Sequence, residues 1–309
     1  MGNPVAKQAL PMAGMQQLID EHSRLQRLAR AAVNPAPDAG FLMARAAAEL
    51  GDRLAVVERR FNAPVALYGR TNDVARAIAA SGRADADVLR VEQLEAFLEG
   101  SAGTVATDPS RPGLAPLSAD LIVCVNAMHA VNDIPGMLAR IRNALRPDGL
   151  FIAAIPAAGT LHELRESFLA AEAESGAASP RVMPFIDIRQ AGALLMQAGF
   201  ALPVTDIETV TVRYRDMATL MADLRAMGET NTLMARSRRL ATRGLFRVAS
   251  RHYAENHADA DGRIRATFNT IWMSGWAPHP SQPRPLKPGS ATASLARALE
   301  DARRASEAE

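Results

Sequence analysis

Glu92 and Asp108 each fall at the end of a short strand-like run, Asp87 to Val91 and Gly103 to Thr107. In an open parallel sheet such carboxyl ends are where ligands bind, and an acid there can accept hydrogen bonds from a ribose or an adenine edge. The same acids can equally cap a helix or stand in solvent. Asn126 through His129 follow the apolar run Ala119 to Asn126, which places His129 either against a ligand or as a satisfied structural histidine. Asn132 and Asp133 precede a helical pattern, where Asp133 reads as the N-cap. The stretch His162, Glu163, Leu164, Arg165, Glu166 begins like the zinc motif H-E-x-x-H but lacks the second histidine. With that second histidine missing and no cysteine cluster, a metal site is not expected. Cys124 lies within the apolar run, so it reads as buried and non-catalytic, it can form no intramolecular disulfide, and it suits a reducing cytoplasm.

The elements that must position these residues follow a βαβ rhythm. Strands are expected at Ala63 to Tyr68, Asp87 to Val91 and Gly103 to Thr107, with helices at Asp73 to Ala80 and Gln93 to Leu98 between them. Ala119 to Asn126 is apolar on both faces, as a central parallel strand must be when helices cover both sides of its sheet. Apolar residues at 134, 137, 138, 141 and 145 give a helix closed by Arg146, Pro147, Asp148 and Gly149, and Leu150 to Ile155 is the next strand. Thr160 to Glu174 reads as a helix with Thr160 as N-cap and Glu163 in a capping box. A helix at Ile188 to Ala198 leads into one or two strands over Phe200 to Tyr214, and Ala266 to Trp276 is a late strand.

These spans divide the chain into an N-terminal helical segment (1–60), a core (61–215), a helical insertion (216–257), a final strand region with a proline-rich tail (258–292) and an exposed helix (293–309). Two helical stripes stand out near the insertion. Met217, Leu220, Met221, Leu224 and Met227 form an apolar face, for core packing or an adaptable partner. Arg239, Arg243, Arg247 and Arg251 recur every fourth residue, as a solvated face or as a docking site for an acidic protein.

Composition narrows the classes. With 309 residues, 48% hydrophobic and 22% charged, the chain can bury a sizeable core, so neither global disorder nor a small disulfide scaffold fits. A net charge of only +2 lacks the segregated basic excess of a nucleic-acid protein. Only Lys7 and Lys287 are lysines among 35 basic residues, a skew that resembles a GC-rich bacterial coding sequence. No segment reaches the ~18 consecutive apolar residues of a membrane span, and the basic, amphipathic residues 22–33 read as a structural helix rather than a transit peptide.

Several pieces carry a resemblance: MHAVND (128–133) within the long segment 119–172, RAMGETN (225–231), SGW (274–276) and SQPRPLKPGSATASL (281–295). They resemble the class I methyltransferase branch of the mitochondrial complex I assembly factor credited with arginine hydroxylation and its bacterial relatives; the biotin-pathway carrier-protein O-methyltransferases are more distant. The resemblance implies a doubly wound, mostly parallel sheet of seven strands and S-adenosylmethionine as cofactor. It assigns Glu92 to the ribose-binding acid, Asp108 to the acid of the next strand end, and His129 to the histidine of the family's L-H-W-V-N-D pattern, with Ala130 replacing the tryptophan. Tyr68, Gly69 and Asn126 complete the candidate cofactor-binding residues.

The family's cofactor loop, D-x-G-x-G-x-G, corresponds here to Ala66, Tyr68, Arg70 and Asn72. The acid and all three glycines are replaced, and Gly69 is out of register. Tyr68 is expected to project into the space of the cofactor's amino-acid moiety, so S-adenosylmethionine is expected to bind weakly or not at all. Two functions follow. One is an assembly factor or partner-binding protein, with a respiratory-complex subunit as the partner class. The other is an active methyltransferase that aligns donor and nucleophile; hydroxylase chemistry is a lesser option for which no ligands can be nominated.

Overall fold

The computed structural model describes residues 17–33, 36, 39–98, 100–175 and 179–282. Its contacts divide the chain into two compact units, residues 1–278 and 279–309, and the fold below belongs to the first. The helix expected over 293–309 and the PGSATAS piece lie outside the described residues.

Helices α1 (Glu21–Val33) and α2 (Phe41–Ala55) precede strand β1 (Pro64–Leu67), and then α3 (Asp73–Ala80), β2 (Leu89–Glu92), β3 (Gly103–Val105) and β4 (Ala119–Val125) follow. The second half holds α4 (Ile134–Ala144), β5 (Leu145–Pro156), α5 (His162–Ser175), α6 (Ile188–Gln197), β6 (Ala201–Tyr214), α7 (Met217–Ala226), α8 (Arg243–His257) and β7 (Ile264–Trp276). The seven strands form one sheet in the order β3-β2-β1-β4-β5-β7-β6. β1 to β5 run parallel and β7 is antiparallel between β5 and β6. The order reverses at β1 and β4, so the crevice beyond their carboxyl ends is the natural ligand position.

All seven residues of β4 are buried, which follows from a strand covered on both faces. The pleat sorts them: Ile122 and Cys124 join the core beneath α4 and α6, while Leu121, Val123 and Val125 join that beneath α2 and α3. A third cluster, with Phe168, Tyr214, Tyr253 and Phe268, packs α5, α7 and α8 over the paired strands β6 and β7. Asp133 caps α4 by accepting from the Gly136 N–H at 2.8 Å.

Three local expectations change and one is narrowed. Arg146 to Gly149 does not close α4; the helix ends at Ala144 and β5 already begins at Leu145, because Leu145 pairs with Ala119 of β4. Phe200 to Tyr214 gives one long edge strand, since β7 supplies a partner along almost its whole length. Thr160 is not a helix cap: its hydroxyl donates to Asn269 O at 2.9 Å and accepts from Asn269 N at 3.0 Å, and Glu163 accepts from the Thr267 hydroxyl at 2.5 Å. Strand β7 captured both residues.

Residues 227–242 are irregular rather than helical. Gly228 turns the chain at φ +76°, and Leu233 then bridges Ile19 in antiparallel fashion. As a result Arg239 precedes α8, which carries only Arg243, Arg247 and Arg251 of the arginine stripe.

Candidate functional site

A cavity of about 600 Å³ opens beyond the carboxyl ends of β1 and β4. Its lining includes Arg70 and Thr71 after β1, Asn126 and His129 after β4, α1 and the segment 227–233, with further wall from α2, α5, α7 and the β6–β7 pair. β4 ends because Asn126 turns left-handed at φ 52°, a conformation asparagine tolerates. A short 3₁₀ turn, Met128–Ala130, then presents His129. Asn132 holds the roof: its Oδ1 accepts from Leu18 N at 3.0 Å and Ile19 N at 2.9 Å, and its Nδ2 donates to Glu21 at 2.8 Å. Asp20 pairs with Arg236 at 2.7 Å, which ties the approach to α1 onto the irregular segment.

The loop after β1 has an unusual backbone. Tyr68 and Arg70 both stand at φ 59°, in the left-handed region that glycine enters freely and other residues enter at a cost of about 1–2 kcal/mol. Gly69 between them is not left-handed. The loop is held by Tyr68 N donating to Val91 O at 2.7 Å and by Arg70 N donating to Glu92 Oε2 at 3.1 Å. Tyr68 does not project into the cavity as expected. Its ring is buried in the core with Cys124 and Leu67, because its left-handed backbone sends the side chain inward, and its hydroxyl has no hydrogen-bond partner among the described residues. Arg70 crosses the floor instead, donating to Met227 O at 3.0 Å, to Asn126 O at 3.3 Å and to Glu229 at 2.5 Å.

The nominated residues therefore separate. Asn126 and His129 line the cavity, whereas Tyr68, Gly69, Glu92 and Asp108 do not. Glu92 is fully buried behind Arg70, with its other oxygen accepting from Arg90 at 2.9 Å; burial pushes its carboxyl up to about 7 against these hydrogen bonds. Asp108 is turned into a local loop, accepting from the Ser110 N–H and hydroxyl at 2.8 Å each. Arg239, Arg243, Arg247 and Arg251 are all exposed, and Arg251 makes one exposed contact with Glu174 at 3.3 Å.

Two cavity residues escaped the sequence reading. Glu229, within RAMGETN, stands 3.4 Å from His129 Nε2 and holds Arg70. Burial opposes its ionisation, but Arg70, His129 and Arg24 together keep its carboxyl well below the usual carboxylate range. Arg24 of α1 is buried and donates to Gln93 Oε1 at 2.6 Å; burial, with Arg70 nearby, lowers its guanidinium to about 10. The only signal for Arg24 was a charged residue on the apolar side of an amphipathic helix. Among the described residues, no group of acids, histidines and cysteine could hold a metal ion, and no helix is long and apolar enough to cross a membrane.

A family model described as a methyltransferase domain matches residues 38–203. The mitochondrial arginine-hydroxylase NDUFAF5 of Danio rerio is 42% identical over 178 residues, 57% of this chain and 55% of that protein. The human NDUFAF5 is 41% identical over 177 residues, 57% of this chain and 51% of that protein. The malonyl-[acyl-carrier protein] O-methyltransferase of Xylella fastidiosa (strain M23) is 35% identical over 165 residues, 53% of this chain and 54% of that protein. The chain thus spans about half the length of these curated relatives. Among solved structures, the methyltransferase candidate BH2331 of Bacillus halodurans superposes with a TM-score of 0.52 at 13% identity, covering 75% of this chain and 99% of that one, which establishes the fold.

Proposed function

From the premise that the chain belongs to the methyltransferase-domain family, we propose that its loop after β1 no longer seats S-adenosylmethionine and that the protein works by holding a protein partner. The observation that carries this reading is Arg70. The loop keeps the left-handed turns of a glycine-rich cofactor loop, but at positions 68 and 70 they bear side chains, and Arg70 spans the floor to Asn126, Met227 and Glu229. A methionine moiety would have to displace those three bonds. Glu92, the acid assigned to the ribose, already spends one oxygen on Arg70 N and the other on Arg90. The sulfonium cation would also enter beside Arg24 and Arg70. The residues present do not fit this cofactor, and no step is routed through it.

For the partner, the exposed Arg243, Arg247 and Arg251 on α8, with Arg239 just before it, offer a basic face to an acidic protein surface. A respiratory-complex subunit is the partner class we assign, in line with the NDUFAF5 relatives, and the cytoplasm is the compartment, which suits a lone buried thiol.

A second reading, an active S-adenosylmethionine-dependent methyltransferase on a protein or small molecule, draws support from Glu92 at the end of β2 and from Asn126 and His129 in the cavity wall. Calorimetric titration with S-adenosylmethionine and S-adenosylhomocysteine separates the two. We expect no micromolar binding; micromolar binding that disappears in Glu92→Ala would overturn the first reading and put the methyltransferase in its place.

A further inference from the structure

Four arginines lie in the cavity wall. Three of them hold carboxylates: Arg45 with Glu208 at 2.5 Å, Arg70 with Glu229 at 2.5 Å and Arg181 with Glu172 at 2.7 Å. Arg24 holds none among the described residues, although it is the most deeply buried of the four, at 4% exposure. Its Nη1 is spent on Gln93 Oε1, and among the described residues neither its Nη2 nor the Gln93 Nε2 has a hydrogen-bond partner. Glu229 and Glu21 act on this buried cation only at a distance, so a ligand that brings a carboxylate into hydrogen-bond contact supplies the direct partner it lacks.

We propose that this cavity binds a small carboxylate with an apolar body, the carboxylate held by Arg24. A carboxylate matches the planar donor fork of a guanidinium, and the unpartnered Nη2 of Arg24 is the donor that would meet it. The body is specified by the apolar part of the wall, which includes Leu28, Met43, Leu164, Phe185, Leu224 and Phe268. About 600 Å³ lies within the ~300–1,000 Å³ range of small-molecule sites. A phosphate dianion would require more unspent donors than Arg24 and Gln93 offer, and an organic cation would meet Arg24 and Arg70 head on. Arg24 lies on α1, before residues 38–203 that match the family model, while much of the remaining wall lies within them.

The test is calorimetric titration of the full chain with octanoate, with octanamide as its uncharged counterpart, and with S-adenosylhomocysteine. Octanoate is expected to bind at least about tenfold tighter than octanamide. Arg24→Met is expected to reduce octanoate to the level of the amide, since it removes the guanidinium and keeps an unbranched side chain in its place. Equal binding of acid and amide, no heat with octanoate, or an acid preference that survives Arg24→Met would each overturn the inference. Should Arg24→Met not fold, Arg24→Gln is measured in the same way. Octanoate binding with silent S-adenosylhomocysteine supports both this site and the preceding reading. Binding of S-adenosylhomocysteine alone, lost in Arg24→Met, overturns both, and silence of both ligands overturns this inference only.

Discussion

Replacing Glu92 by glutamine is expected to flatten the pH dependence of stability. The side chain is fully buried, and burial pushes its carboxyl from an ordinary 4.5 up to about 7, although Arg70 N and Arg90 pull it down. A carboxyl raised in the folded state contributes stability that is fully present below the unfolded value and is lost as pH rises through the folded one. At about 1.4 kcal/mol per pH unit, the span from 4.5 to about 7 amounts to about 3 kcal/mol, lost between roughly pH 4 and 8. In a domain of this size that is a fall in melting temperature on the order of 5–10 °C.

Glu92→Gln removes the titration while keeping an acceptor for Arg70 N. Above about pH 7 it also removes the anion that Arg90 faces, so only the slope with pH is diagnostic. Thermal melts of both proteins at pH 5 and pH 8 make the measurement, since every other titrating group is shared. Parallel melting temperatures for the two proteins would refute the reasoning, and would mean that Arg90 keeps Glu92 ionised throughout.

Cys124 is fully buried in β4, and burial pushes its thiol up to about 12, so thiol reagents are expected to label the native protein only as fast as it opens. Rapid stoichiometric labelling at neutral pH would contradict the placement of β4. Reversing Arg243 and Arg247 to glutamate is expected to abolish association with the acidic partner while shifting the melting temperature by little, because exposed charges contribute ~1 kcal/mol or less. Pull-downs and melts of wild-type and double-mutant protein check this, and equal recovery of every partner would exclude this face.

What the sequence determined by itself was local and periodic. The run Ala119 to Val125 could only be a doubly covered strand, because an apolar residue on both faces of a pleat has nowhere to go but between two layers. Asp133 before an apolar helical period had to cap it, since the free N–H groups lie within three residues. The β1 loop announced its lost glycines, and MHAVND carried the family. The tertiary structure decided the pairing of polar groups. Thr160 and Glu163 had the spacing of a cap, yet β7 offered both a closer partner from more than a hundred residues away. Tyr68 looked aimed at the ligand space, but its left-handed backbone turned it into the core and gave the floor to Arg70. Arg24, Arg70, His129 and Glu229 meet only because α1 and the segment after α7 close over the switch between β1 and β4. Periodicity tells a side chain which face to take; which charge waits there depends on chain that arrives from elsewhere, and no local pattern records it.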